Sequence, residues 1–242
     1  MMRVSLSTSV LLMAFFATVS CRAGIAGPSP AVTGNAARFF DPAAEAAAKQ
    51  ATRELDQARP ALTVEGDSES HVVTNCRDYL HWRALPAQPA TDHDGAATSN
   101  YLMCAIVALA PGARRGARSY FDEHAIGDAI YRSLDLTTFV SSLSAEADAG
   151  RSRLAAMKFK HVDVSAVDVK AETPDWNYDF HTLAMADFDG DGLDDLLVAF
   201  TDDAKRGTAF VATTLLLRRT EANAPIQAEL PRAALHPSAG AE

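Results

Sequence analysis

Three features of the 242-residue sequence point to an α+β fold, with a mostly antiparallel sheet in the C-terminal half and one or two packed helices. Strand-like runs crowd the region after residue 160: an alternating stretch at 162–169, then apolar segments at 180–186, 196–200 and 208–217. Helical periodicity is confined to 41–59 and 120–146. Hydrophobic residues make up 48% of the chain, but 47 residues are alanine and aromatics are only 7%, so the larger apolar side chains suffice for one core. A single compact domain over 60–220 is therefore expected.

Taken in order, residues 22–38 are small, with Gly and Pro, and 21–40 reads as a flexible tether. Asp41 and Pro42 start a helix as N-cap and first helical residue. Good helix formers continue to Pro60, with Leu55 the one large apolar side chain, so 41–59 reads as a spacer or weakly docked arm. Leu62–Val64 and 71–74 flank a turn at Glu65-Gly66-Asp67 and read as short strands. A polar loop at 86–99 leads to the continuous apolar run 101–110, expected to be a buried strand ended by Pro111-Gly112. In 120–146, Ile126, Ile130 and Leu134 fall at i, i+4 and i+8, and Leu136, Phe139, Val140 and Leu143 extend the stripe. Either one kinked helix or two helices fits that spacing. The alternation at 162–169 slips phase near Ser165-Ala166, which implies a bulge or two shorter strands. From 221 to 242 the chain is Ala/Pro-rich and polar and is expected to be disordered.

Charge narrows the partner. The 22 Lys+Arg against 31 Asp+Glu leave a formal net charge of −9, with no long basic run, which argues against nucleic acid.

The N-terminus carries an address. Arg3 precedes an apolar stretch from Val10 to Val19, too short for a membrane span and without a following basic cluster, so 1–20 reads as a secretory signal. The sequence Ala17-Thr18-Val19-Ser20-Cys21 resembles the lipobox of bacterial lipoproteins, with Thr18 where Leu is usual. Cleavage after Ala26 by ordinary signal peptidase is the competing reading. The resemblance implies that Cys21 is acylated and becomes the mature N-terminus. Arg22 in place of Asp implies outer-membrane sorting, so the domain would face the periplasm and touch the membrane through its lipid alone. With Cys21 so used, Cys76 and Cys104 remain as a pair for a disulfide in an oxidising compartment.

The strongest chemical signal is Asp187-Phe188-Asp189-Gly190-Asp191-Gly192-Leu193-Asp194-Asp195. Ca²⁺ takes six to eight hard oxygen ligands around a tightly turned backbone. Asp187, Asp189 and Asp191 stand at loop positions 1, 3 and 5, Gly192 at the turn, the Leu193 carbonyl at 7 and Asp195 at 9. Asp194 is expected to point away. Val198 replaces the position-12 Glu of an EF-hand, and strand-like rather than helical segments flank the loop. Residues 186–196 resemble the calcium loop of FG-GAP and VCBS repeats, which joins two strands of a propeller blade. That resemblance covers about 180–200 and occurs once, so it implies a calcium-binding β-hairpin loop with a structural ion, not a propeller.

Other clusters carry less. Asp92-His93-Asp94 and the adjacent pair Glu123-His124 read as a polar turn and an exposed face. His181 reads as a surface or supporting histidine, and Arg114, Arg115 and Arg118 as a solvated loop. Trp176 and Tyr178 are candidate partner anchors, with core packing as the alternative. No GxSxG, HExxH, Walker or GxGxxG pattern occurs. Lipobox, disulfide and lone aspartate loop together resemble periplasmic immunity lipoproteins. The resemblance implies a non-enzymatic protein that neutralises a basic secreted toxin such as a peptidoglycan hydrolase. A surface adhesion or envelope-scaffold module is the alternative, and an envelope hydrolase with dispersed catalytic residues is a third.

Overall fold

The computed structural model describes residues 37–65, 70–83, 95–148 and 150–231. Residues 1–20, read as a signal, Cys21, the loop containing Asp92, His93 and Asp94, and the end of the tail lie outside the described residues.

Backbone pairing occurs already at residues 38–39. Strand β1 (Arg38–Phe39) pairs antiparallel with Met185 and Ala184, inside the segment read as tether. Asp41 then caps α1 (Pro42–Lys49), its Oδ1 accepting from the Ala44 N–H at 2.7 Å. A break at Gln50 separates α1 from α2 (Ala51–Asp56), so 41–59 is two helices and not one. They are docked rather than loose: Ala44, Ala48 and Ala51 are buried in one cluster with Ile106, Val107 and Leu197. Methyl-sized side chains allow the backbones to approach closely, a contact that counting large apolar residues overlooks.

Hairpin β2 (Leu62–Glu65) and β3 (Ser70–Val73) leads to α3 (Cys76–Arg83), α4 (Gly95–Ser99) and α5 (Cys104–Leu109). The apolar run at 101–110 is thus a turn and a helix, which corrects the expected strand. Cys104, Ala105, Ile106 and Val107 are all buried, and a run buried on every side has no period to separate helix from strand. Cys76 and Cys104 form a disulfide with Cα atoms 5.1 Å apart, inside a cluster with Leu62, Val64, Val73 and Tyr101. The Tyr101 hydroxyl lies 2.7 and 3.1 Å from the carbonyl oxygens of Pro60 and Val73, tying the turn before α5 to the hairpin.

In 120–146 the two-helix alternative holds. Helix α6 (Ile126–Ser133) ends at an extended Leu134, a 3-10 turn spans Leu136–Thr138, and α7 (Ser142–Glu146) follows. Ile126, Ile130, Leu134, Leu136, Phe139 and Leu143 still reach one core although the backbone breaks twice. Val140, counted in the same stripe, is 63% exposed.

The strands β4 (His161–Val164), β5 (Asp168–Glu172), β6 (Trp176–Ala186), β7 (Asp195–Ala204), β8 (Phe210–Arg218) and β9 (Gln227–Glu229) pair antiparallel in chain order, and β1 joins β6 as a seventh. The phase slip at 165–166 is the junction of two short strands, held by Ser165 Oγ accepting from the Asp168 N–H at 2.8 Å. β9 falls in the tail expected to be disordered, where Ile226 is fully buried beside Leu134.

Alternation sends Phe180, Leu196, Val198, Phe200, Leu215 and Leu217 to one face, beneath α6 and α7. Leu183, Ala184, Leu197, Ala199 and Leu216 serve the other face, beneath α1, α2 and α5. Each large side chain buried this way contributes roughly 1.5–3 kcal/mol. A bulge at Leu183 resets the register of β6, and its carbonyl accepts from the N–H groups of Phe40 and Asp41. Among the described residues no helix is long and apolar enough to cross a membrane.

Candidate metal centre

The aspartate loop connects β6 to β7, where Ala186 pairs with Asp195 at the end of the ladder. Asp187 follows the last residue of β6 and Asp195 is the first of β7, so the sheet itself fixes two carboxylates side by side. The chain between them turns through Gly190 and Gly192, at φ +85° and +87°, a conformation that side-chain-bearing residues adopt only at a cost. Asp187 organises the turn, accepting from the N–H groups of Gly190 at 2.6 Å and Gly192 at 3.0 Å. Asp189 and Asp191 each accept from the amide two residues on, and Asp195 Oδ2 accepts from the Phe188 N–H at 3.2 Å.

One carboxylate oxygen from each of Asp187, Asp189 and Asp195 lies within 4.8 Å of the others, and this cluster could hold a metal ion. Asp187 and Asp195 are buried, at 8% and 1% exposure. Burial first, and the charge of Asp189 next, push Asp195 up to about 7, against the Phe188 N–H and Arg218, which pull it down. Asp191 stands outside the trio and turns to Arg218 at 3.3 Å. Leu193 donates its N–H to Asp191 Oδ1 at 2.8 Å. Asp194 does point away: its Oδ1 accepts from the Gly116 N–H at 2.7 Å.

Two partners of the loop carry no local signal in the sequence. Arg218, at the end of β8, contacts Asp189 and Asp191 through Nη2, approaches Asp195 with Nε at 3.9 Å and reaches Glu229 through Nη1. The segment 114–118, read as a solvated loop, is instead a strap. Its backbone exchanges hydrogen bonds with Asp187 at Arg114, and with Gly192 and Asp194 at Arg118. Gly116 lies against the loop so closely that a Cβ there would meet the Asp194 N at 2.6 Å and the Leu193 C at 2.7 Å.

The remaining candidates lie elsewhere. Tyr178 is 2% exposed, with its hydroxyl 3.0 Å from Ser142 Oγ and pushed up to about 12 by burial, so it packs the core and is not an exposed anchor. Trp176 is half-buried against the same core, and both residues lie in β6 rather than in a turn. His181 sits between Asp41 and Asp168, each ring nitrogen 2.8 Å from a carboxylate oxygen. Glu123 meets both Arg38 and the largely exposed His124. Ser142 donates to the buried Asp202 from its N–H and its hydroxyl, at 2.7 and 2.9 Å. That contact anchors α7 to β7 across the core, between residues far apart in sequence.

No family model, curated protein or solved structure matches this chain.

Proposed function

We propose that this chain is a lipid-anchored, periplasm-facing protein that binds Ca²⁺ in its aspartate loop and neutralises a basic secreted hydrolase, as immunity lipoproteins do. The observation that carries the calcium reading is the convergence of Asp187, Asp189 and Asp195 at the junction of two paired strands. The donor set fits: all are hard oxygens, two are buried, and Asp195 Oδ1 has Arg218 at 3.9 Å as its cationic neighbour. Asp191 and the Leu193 carbonyl, at loop positions 5 and 7, are the further oxygens that the spacing offers. A bound cation would supply the charge that five clustered aspartates need and would pin β6 to β7. Support for the compartment comes from the Cys76–Cys104 disulfide, which is consistent with an oxidising extracytoplasmic location. Net charge −9 supports a basic partner.

The test is thermal unfolding of the full chain with added calcium and with chelator, then inhibition of a basic muramidase, with hen egg-white lysozyme as the probe. At calcium a hundredfold above Kd, the expected gain is about 2.7 kcal/mol. Asp195→Asn should lose that gain while keeping or raising metal-free stability, because a buried charge is removed. Melting curves that ignore calcium would sink the metal reading. Undiminished muramidase activity at saturating protein would remove the inhibitory reading for this class of partner. The adhesion or scaffold alternative rests on the loop joining two antiparallel strands, the setting it has in FG-GAP and VCBS repeats. It predicts release of the domain by protease treatment of intact cells.

A further inference from the structure

Several exposed cations of this chain stand beside carboxylates: Arg132 with Asp128, Arg151 with Asp148 and Lys170 with Asp179. With 31 Asp+Glu against 22 Lys+Arg, such pairing is the expected state of a basic side chain here. The strap at 114–118 breaks the pattern. Arg114, Arg115 and Arg118 are exposed and, among the described residues, join no ion pair. Arg118 instead donates to the Tyr120 hydroxyl at 2.9 Å and lies over that ring. Arg219 brings a fourth cation to the same segment, over the Phe121 ring and donating to the Tyr120 carbonyl.

The aspartates beside the strap do not cancel these charges at the surface. Asp187, Asp194 and Asp195 are buried, while Asp189 and Asp191 face Arg218. Of the acids that follow the strap, Glu123 meets Arg38, which leaves Asp122 against four arginines.

The same edge marks where the N-terminal segment enters the sheet. Arg38 pairs with Met185 in β6, Ser119 Oγ lies 3.9 Å from Met185 Sδ, and Arg114 exchanges backbone hydrogen bonds with Asp187. With Cys21 lipidated, as proposed above, the chain from Cys21 to Ala37 reaches at most about 58 Å. The strap lies beside its point of entry and is held within that reach of the leaflet.

We infer that the strap edge is a membrane-docking face, resting on the anionic phosphate headgroups of the leaflet that holds the lipid. Guanidinium groups match phosphate oxygens as bidentate forks, and the amphipathic ring of Tyr120 suits the interface. Each arginine near an anionic leaflet is worth about fivefold in attraction. The net charge of −9 orients the approach, because an anionic surface repels the rest of the chain. Screening confines the attraction to groups within about 8–10 Å of the surface. This rests on the lipid-anchor part of the reading above and adds a protein contact to the one the lipid makes.

The experiment is amide exchange of the cell-processed chain on vesicles, in chelator so that calcium cannot bridge protein to lipid. Phosphatidylcholine vesicles are compared with vesicles containing about one-third phosphatidylglycerol, and mass spectrometry shows separately whether Cys21 is acylated. Expected is slower exchange across 111–121 on the anionic vesicles alone, lost in high salt and in Arg114→Gln/Arg115→Gln/Arg118→Gln. The three side chains are exposed, and an unchanged melting temperature shows that the variant is folded. Should it unfold, the salt dependence of the wild-type chain decides the same point. Equal exchange on the two vesicle types, slowing centred elsewhere, slowing that survives high salt, or slowing retained by a folded variant would each overturn the proposal. Failure of the two readings is distinguishable. An unacylated chain whose strap is still protected removes the anchor and keeps the face; an acylated chain with an unprotected strap does the reverse.

Discussion

Arg218 shows how a single side chain can set the chemistry of a loop it does not belong to. Its guanidinium serves four acidic residues, Asp189, Asp191, Asp195 and Glu229, and so occupies the electrostatic role a divalent ion would share. Calcium entering the trio has to compete with that charge. Arg218→Met is expected to tighten calcium binding about tenfold while lowering the melting temperature measured in chelator, because like charges then lose their counter-ion. Calorimetric titration beside a chelator melt reads both effects. Equal calcium affinity in the two proteins would mean that the guanidinium and the ion do not compete. The loop was legible in the sequence because its aspartates lie within nine residues, although spacing alone did not show that Asp191 turns away from the other three. Arg218 was not legible: twenty-two residues of chain separate it from Asp195, and only the pairing of β7 with β8 unites them.

At the scale of elements, the strap at 114–118 decides how rigid the loop is. It contributes backbone hydrogen bonds on both sides of the turn and closes over Asp194 at Gly116. Gly116→Ala places a methyl group within 2.6–2.7 Å of backbone atoms of the loop, which must then separate. A loss of about 1–3 kcal/mol in urea unfolding is expected, with weaker calcium binding alongside. A neutral substitution would show that the strap merely lies beside the loop. The disulfide acts on a different element set, α3 and α5 with the β2–β3 hairpin. Cys76→Ser/Cys104→Ser should cost roughly 3.6 kcal/mol in the chain-entropy model. Hydrogen exchange should show the loss first in residues 62–83 and 95–109 rather than in the central strands. Uniform acceleration over the sheet would contradict that local assignment. Short apolar stretches were the elements least legible in the sequence. The run at 101–110 became a helix because α1, α2 and the sheet bury it from several sides, and a one-sided pattern never formed.

Across the whole molecule, His181 links the first helix to the sheet, since Asp41 caps α1 and Asp168 belongs to β5. Burial would push the imidazole down, but hydrogen bonds to the two carboxylates outweigh it and hold the ring above its ordinary value. Asp41 is held low: burial opposes this, and the Ala44 N–H and His181 overcome it. A raised histidine stabilises fully below its unfolded value of about 6.5, and the contribution is lost as pH rises through the higher folded value. A lowered aspartate stabilises above its unfolded value and fails as pH falls through the folded one. The contact is therefore strongest between those limits, in mildly acidic solution. The imidazole is 38% exposed, so water screens the pair and the effect is local rather than global. Amide exchange in residues 38–49 should quicken as pH rises from about 6 to 8.5, after correction for intrinsic rates. In His181→Gln that dependence should vanish; its persistence would place the titrating group elsewhere.

The sequence by itself determined what depends on neighbours along the chain. The α+β class, the β-rich C-terminal half, the cap at Asp41 and the aspartate loop between two strands all follow from residue spacing against periods of two or 3.6. The Cys76–Cys104 pairing followed as well. Tertiary structure decided everything that needs a partner surface: the docking of alanine-faced α1 and α2, the enrolment of Ile226 and β9 into the core, and the burial of Tyr178. It also decided that Asp191 turns to Arg218 while Asp187, Asp189 and Asp195 converge. The physical reason is common to these cases. A small or polar side chain gains or loses its role according to what lies across from it, and the opposing surface is set by strand register and helix packing, which no local window contains.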